Sequence, residues 1–367
     1  MVKPVDGGGP AKQASDPVAL RLPRLRPVWL VIGLLAVLAA LVLGVSTGPV
    51  ALPLPGVAKE LLALLPGVDL DSGLSERERA LLVELRLPRV VLGLLVGGLL
   101  ALAGACYQGV FRNPLADPHL LGVAAGAGLG VTAVITLRRG AGGSATAALP
   151  LATPLAAFVG AVAAVALTYA LATGGGDRSP ATLILAGVAV SAFLSAGQTF
   201  LMQRDADAIR EIYSWLLGRL GTAGWRDVLL VLPYAVVTAV VVLAHRRDLD
   251  VLAVGDAEAA GLGLDPQRTR YVLTAAASLG TAAAVSVSGL IGFVGIIVPH
   301  TVRLLAGASH RTILPVSMLV GGAFLVLADL VARTAAAPAE IPIGVVTAFL
   351  GAPFFVLVLR TGARTRL

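Results

Sequence analysis

Stretches of about twenty apolar residues recur along nearly the whole chain, and this recurrence limits the fold more than any single motif. A helix needs roughly 20 apolar residues to cross a hydrocarbon core about 30 Å thick. That measure predicts ten spans, near residues 28–46, 89–110, 121–137, 149–172, 182–202, 227–245, 271–288, 289–306, 313–333 and 341–360. The boundary at 288/289 is the least defined, because no charge separates its two spans. The expected fold is an all-α polytopic membrane protein with a single ten-helix domain over 28–360. Residues 1–27 and 361–367 are read as cytoplasmic tails.

Composition agrees with this reading. Only 13% of residues are charged and mean hydropathy is +0.89, whereas soluble domains carry about 25% charge. No room remains for a separate soluble domain. The net charge of +7 does not point to nucleic acid, because basic residues gather at span ends and form no continuous run. The single cysteine, Cys106, lies inside an apolar span and cannot form an intrachain disulfide. The first apolar run is read as a permanent span rather than a cleaved signal peptide, since every later segment is also membranous.

With both termini inside, basic residues are modestly enriched on the inner side. Arg86, Arg89 and Arg333 run against that trend, sitting at the outer ends of spans. Residues 246–270 form a long inner loop that mixes acidic residues with Leu249, Val251, Leu252, Val254 and Leu262, and is broken by Gly255, Gly261 and Gly263. A bare connector has no need of those apolar residues, so they ask for a partner surface.

The stretch 86–130 combines several signals. Arg86-Leu-Pro-Arg89 opens a span, with Pro88 suited to a first helical turn. Arg112-Asn-Pro-Leu-Ala-Asp-Pro118 then forms a rigid connector, because proline disfavours helix in the residue before it. Gly122, Gly126 and Gly130 follow at intervals of four, which places them on one helix face and allows close packing in lipid. This segment closely resembles the hallmark region of permease subunits in ATP-driven importers of iron-siderophores, haem and cobalamin. Leu185-Ala-Gly-Val-Ala, Trp215-Leu-Leu-Gly, Gly289–Arg303 and Ile341–Pro353 extend the similarity over about residues 55–360.

The resemblance implies the permease fold of a type II ATP-binding-cassette importer in the cytoplasmic (inner) membrane of a bacterium. It implies ten spans and pairing with a second copy or close paralogue, in contact with membrane lipid. Two separate ATPase subunits would hydrolyse ATP with Mg on the inner side, and an extracytoplasmic binding protein would deliver the ligand. Arginines matching Arg86, Arg89 and Arg333 form pockets for acidic residues of that binding protein in the family, though interfacial anchoring explains such arginines equally well on chemistry alone. The 246–270 loop, with Leu249, Leu252, Val254, Gly255, Asp256, Gly261 and Leu262, would couple ATPase closure to the spans.

Other polar residues admit two readings. Asp329 and Arg333, four apart, suit an intrahelical ion pair, while an acid at lipid depth is a functional candidate. Glu340 caps the last span or pairs with Arg333. Gln108 and Gln198 either bond between helices or line a watery path. Pro299 is expected to kink or end its helix before His300, which is read as a hydrogen-bonded structural residue. No second His or Cys stands at metal-ligand spacing, so no metal site is predicted.

A phosphate-cradling Gly-x-x-x-x-Gly-Lys-Ser/Thr motif is missing from the sequence, so the chain itself is expected to bind no cofactor and to be a transport subunit rather than an enzyme. A secondary transporter is the alternative. It would carry a coupling-ion carboxylate at midplane, and Asp329, near a helix end, fits that poorly.

Overall fold

The computed structural model describes residues 27–48, 50, 52–63, 67, 70–140, 151–174 and 180–364. The expected 1–27 tail therefore lies outside the described residues except for Pro27. Among the described residues the chain is helical, with no strand. The principal helices are α1 (Pro27–Ser46), α2 (Leu54–Ala63), α3 (Glu76–Ala80), α4 (Leu87–Val110), α5 (Val123–Gly140), α6 (Ala152–Gly174), α7 (Pro180–Arg204) and α8 (Ile209–Leu216). The remainder are α9 (Trp225–Ala244), α10 (Arg246–Leu252), α11 (Asp256–Gly261), α12 (Pro266–Ser288), α13 (Val294–Ala306), α14 (His310–Thr334) and α15 (Ile343–Arg364). Among the described residues seven helices are long and apolar enough to cross a membrane. The other three expected spans coincide with α5, α13 and α15, which fall outside that measure.

α4 is the central mast, and its glycines and alanines let neighbours close on it. Gly98 lies under the Met318 carbonyl of α14, a side chain at Gly97 would overlap Gly321, and one at Gly104 would overlap Gly295 of α13. In lipid such close backbone approach, rather than exclusion of water, holds helices together. α1 leans on α14 through Gly33 against Leu319 and Gly44 against Val326. A second group forms where α5 meets α6, with α7 resting on α5.

The helix ends follow from local chemistry. Ser75 and Glu78 form a capping box at the start of α3. A wider π turn over Leu81–Arg86 joins it to α4 and buries Leu82 and Arg86. Pro88 stands in the first turn of α4, where a missing N–H has no cost. Asp265 caps α12, with Pro266 following.

At three places the structure narrows or alters the expectations. The eighth span does not begin at 289: Gly289 has φ +72°, residues 289–293 are non-helical, and α13 has only 13 residues. Pro299 does not stop that helix, which runs on to Ala306. α15 continues through Arg364, so residues 361–364 extend a helix rather than start a tail.

Candidate functional site

At the end of the bundle where α1 finishes and α4 begins, the arginines are bound to the protein's own groups. The guanidinium of Arg86 is buried and donates to the carbonyls of Val45 (2.9 Å), Ser46 (3.1 Å) and Val50. Arg333, also buried, donates to the Gly44 carbonyl and lies 3.8 Å from Asp329. Both close off the carbonyl end of α1, where the last turn of any helix lacks donors. Arg89 is held differently. Its Nε and Nη2 donate to Asp329 at 2.8–3.2 Å, while Nη1 and Nη2 donate to Glu340 at 2.8 and 3.0 Å. Asp329 is buried, whereas the Glu340 side chain is 49% exposed. Glu340 therefore pairs with Arg89 rather than with Arg333, and that hydrogen bond holds its carboxyl below the usual carboxylate range.

Midway down, two non-helical stretches meet. The connector after α4 brings Pro118 onto Gly295 and the ring of His119 within 3.3 Å of the Ile291 carbonyl. Irregular backbone at this depth is tolerated only where protein buries it or where it lines a cavity. An apolar cavity of about 610 Å³ opens beside it, walled by α8, residues 290–293 and α15, with Phe293 and Phe349 among its lining residues. His300 meets Phe354 of α15 edge-on, with ring centroids 5.8 Å apart. Gln108 is buried between α4 and α13: its Nε2 donates to the Gly295 carbonyl at 3.2 Å, and its Oε1 accepts from Arg303 at 3.3 Å. Gln198, also buried, lies over Gly128 and ties α7 to α5. Both glutamines sit between helices.

The glycine face divides. Gly126 and Gly130 face α6, where a side chain would overlap the carbonyls of Gly160 and Ala156. Gly122 instead precedes α5, with φ +86° and its nearest neighbour Val190 of α7. Its role is the left-handed turn that starts the helix.

At the opposite end of the bundle the 246–270 loop folds into α10 and α11. Leu249 and Leu252 turn inward and are fully buried, whereas Val254 and Leu262 are 65% and 71% exposed. The expected coupling set is thus split between core and surface. Gly255 takes φ +140° between the two helices, and Gly261 closes α11. Asp256 receives Arg270 at 2.6 Å on both oxygens and Arg112 at 3.2 Å, which ties α11 to α12 and to the connector after α4. Those contacts, Arg270 foremost, hold its carboxyl below the usual range. Asp250 of α10 accepts from Ser309 Oγ (2.9 Å), the His310 backbone N–H (2.7 Å) and His310 Nδ1 (2.9 Å), so it caps α14. Burial raises the Asp250 carboxyl, but these bonds outweigh it and hold the group low. Among the described residues no group of three His, Cys, Asp or Glu side chains is placed to hold a metal ion.

This layout of a buried mast, a broken helix beside an apolar cavity, and a pair of short helices tied to three spans can be compared with known proteins. Residues 34–361 match the FecCD transport family. The chain belongs to this family. Its relatives are described as permease proteins. The chain is 46% identical over 305 residues to a cobalamin import system permease protein of Halobacterium salinarum, covering 83% of this chain and 80% of the relative. It is 39% identical to a hemin transport system permease protein of Yersinia pestis, covering 76% and 83%. A solved inward-facing conformation of a metal-chelate type ABC transporter superposes with TM-score 0.78 at 30% identity, covering 92% of this chain and all of that one. The protein is accordingly a multi-pass membrane permease.

Seen as a FecCD permease, the chain contains contacts that sequence reading missed. Asp250, Ser309, Arg112, Arg270 and Arg303 all join elements that are distant in sequence. Ser309-His310, ahead of a long apolar run, carried a cap signal for α14. Nothing local indicated that the carboxylate completing that cap would come from α10.

Proposed function

We propose that two copies of this chain, or this chain and a close paralogue, enclose the path of an importer for a ferric siderophore or a related metal chelate such as haem or cobalamin. Ten spans cross the cytoplasmic membrane of a bacterium with both termini inside. Separate ATPase subunits hydrolyse Mg-ATP beneath α10 and α11, and an extracytoplasmic binding protein delivers the chelate from outside. The apolar wall of α8, residues 290–293 and α15 offers few groups that could hold a ligand, which suits a path that passes a bulky chelate on.

The observation that carries this reading is the inner platform. The turns that follow α10 and α11 present Val254 and Leu262 outward, while Asp250 and Asp256 fasten the two helices to α14, α12 and the connector after α4. A push on that surface moves the spans as a rigid body. At the outer face Arg86 and Arg333 serve chiefly to hold α1, and Arg89 is the docking arginine, since its partner Glu340 is reachable from outside. The test is reconstitution with the ATPase and the binding protein, followed by ATP-dependent uptake of a ferric siderophore, haem and cobalamin in separate assays. Uptake of a solute without the ATPase would favour a secondary transporter.

A further inference from the structure

Arg89 lies between two carboxylates of unequal standing. Asp329 is buried and grips the Nε side of the guanidinium, and a second positive group, Arg333, lies 3.8 Å from it. Glu340 grips the outer fork from the loop between α14 and α15, half in solvent. Arg89, Arg333, Asp329 and Glu340 balance in charge, and the fork of Arg89 is filled. An incoming acid would meet a neutral set with no free edge of Arg89.

The surroundings nevertheless leave access to the fork. Gly221 stands directly over the pair, where a Cβ would come within 2.9 Å of Glu340 Oε2 and 3.5 Å of Arg89 Nη1. Beside it is a cavity of about 180 Å³ bordered by Ser214, the exposed Arg219 and Pro342. A carboxylate entering there meets Arg219 first and then the fork of Arg89 that Glu340 occupies. Glu340 also stands three residues before Ile343, the first residue of α15, a wall of the apolar cavity.

We propose that Glu340 is a placeholder, filling the outer fork of Arg89 until an acidic side chain of the binding protein exchanges with it. The inference rests on the docking role of Arg89 and adds how that contact is regulated. The buried Arg89–Asp329 bond stays, the exposed Arg89–Glu340 bond is swapped for an equivalent bond from outside, and the start of α15 is released. Docking is thereby linked to the wall of the path, and an empty outer face does not hold an unpaired arginine.

The test uses the full chain in nanodiscs and a fluorescent hexaglutamate peptide as the acidic probe, titrated at low ionic strength. Glu340→Gln and Glu340→Ala should each tighten binding about three- to fivefold, the worth of one exposed ion pair. Glu84→Gln, which removes an exposed outer charge elsewhere, should not match that gain. The gain should disappear when Arg89→Gln and Asp329→Asn are added together, a pairing that leaves no buried acid unpartnered. If both Glu340 variants bind no better than Glu84→Gln, the placeholder role is overturned while docking stands. If the Arg89→Gln/Asp329→Asn pair leaves the affinity of the Glu340 variants unchanged, the docking role of Arg89 itself falls.

Discussion

Gln108 of α4 supplies the hydrogen bond that Pro299 of α13 cannot make. A proline inside a helix leaves the carbonyl four residues earlier without its donor, and here that carbonyl, on Gly295, receives Gln108 Nε2 at 3.2 Å. The short helix thereby keeps its course through Pro299 and is bonded to the mast. Replacing Gln108 with Leu keeps the volume but leaves the carbonyl unpaired, and should lower stability by about 1–3 kcal/mol. Adding Pro299→Ala returns an N–H to the Gly295 carbonyl and should recover part of the loss. Thermal unfolding of the two variants in detergent checks this, and an additive loss would refute the pairing.

The split of the inner loop into core and surface gives a paired test. Val254→Asp changes an exposed residue, so it should leave folding intact and abolish ATPase-coupled uptake. Leu252→Asp places a charge in the core and should prevent folding instead. Assembly by size exclusion and uptake in proteoliposomes separate the two. Normal transport by Val254→Asp would remove α10 and α11 from the coupling role.

Asp250 makes a prediction in pH. Its carboxyl is held low in the folded protein, so its contribution is complete above the ordinary aspartate range and is lost as pH falls through the lowered value. Asp250→Asn should be less stable than the parent at neutral pH, and the gap should narrow as pH falls below the ordinary aspartate value of about 4 and close only once the lowered carboxyl of the folded parent takes up its proton. Melting temperature across pH 3 to 7 measures it, and a gap that persists in acid would argue against the clasp on α14.

Gly126→Leu should disrupt the α5–α6 contact, because any side chain there overlaps the Gly160 carbonyl. The expected cost is about 1–3 kcal/mol or more. Gly140 has no atom within 4 Å of its would-be Cβ, so Gly140→Leu serves as the control and should be well tolerated.

Much of the fold was legible because lipid imposes a length on each apolar run, and Pro88 marks where α4 begins. Other features were hidden for identifiable reasons. Gly122 shares the spacing of Gly126 and Gly130, but the turn after Pro118 delays the helix until Val123. Leu249 and Val254 look alike in a loop of mixed character, and only the packing of α10 sends one inward and the other out. The outer arginines were noticeable because they oppose the usual charge asymmetry. That oddity did not reveal that the carbonyls of Gly44, Val45 and Ser46 at the end of α1 draw on Arg86 and Arg333, which come from elsewhere in the chain.

The brevity of α13 bears on how the protein is made. Thirteen residues give a rod of about 20 Å, short of the roughly 30 Å that a helix must reach to be stable alone in a bilayer. A nascent chain cannot leave such a piece in lipid as an independent span. It has to be received by partners already in place, with Gly104 offering the notch for Gly295 and Gln108 the donor. Translation of the last third of the polypeptide is therefore tied to prior placement of α4. Damage to that notch should surface as failed membrane integration and degradation of new chains, before any transport defect could be measured.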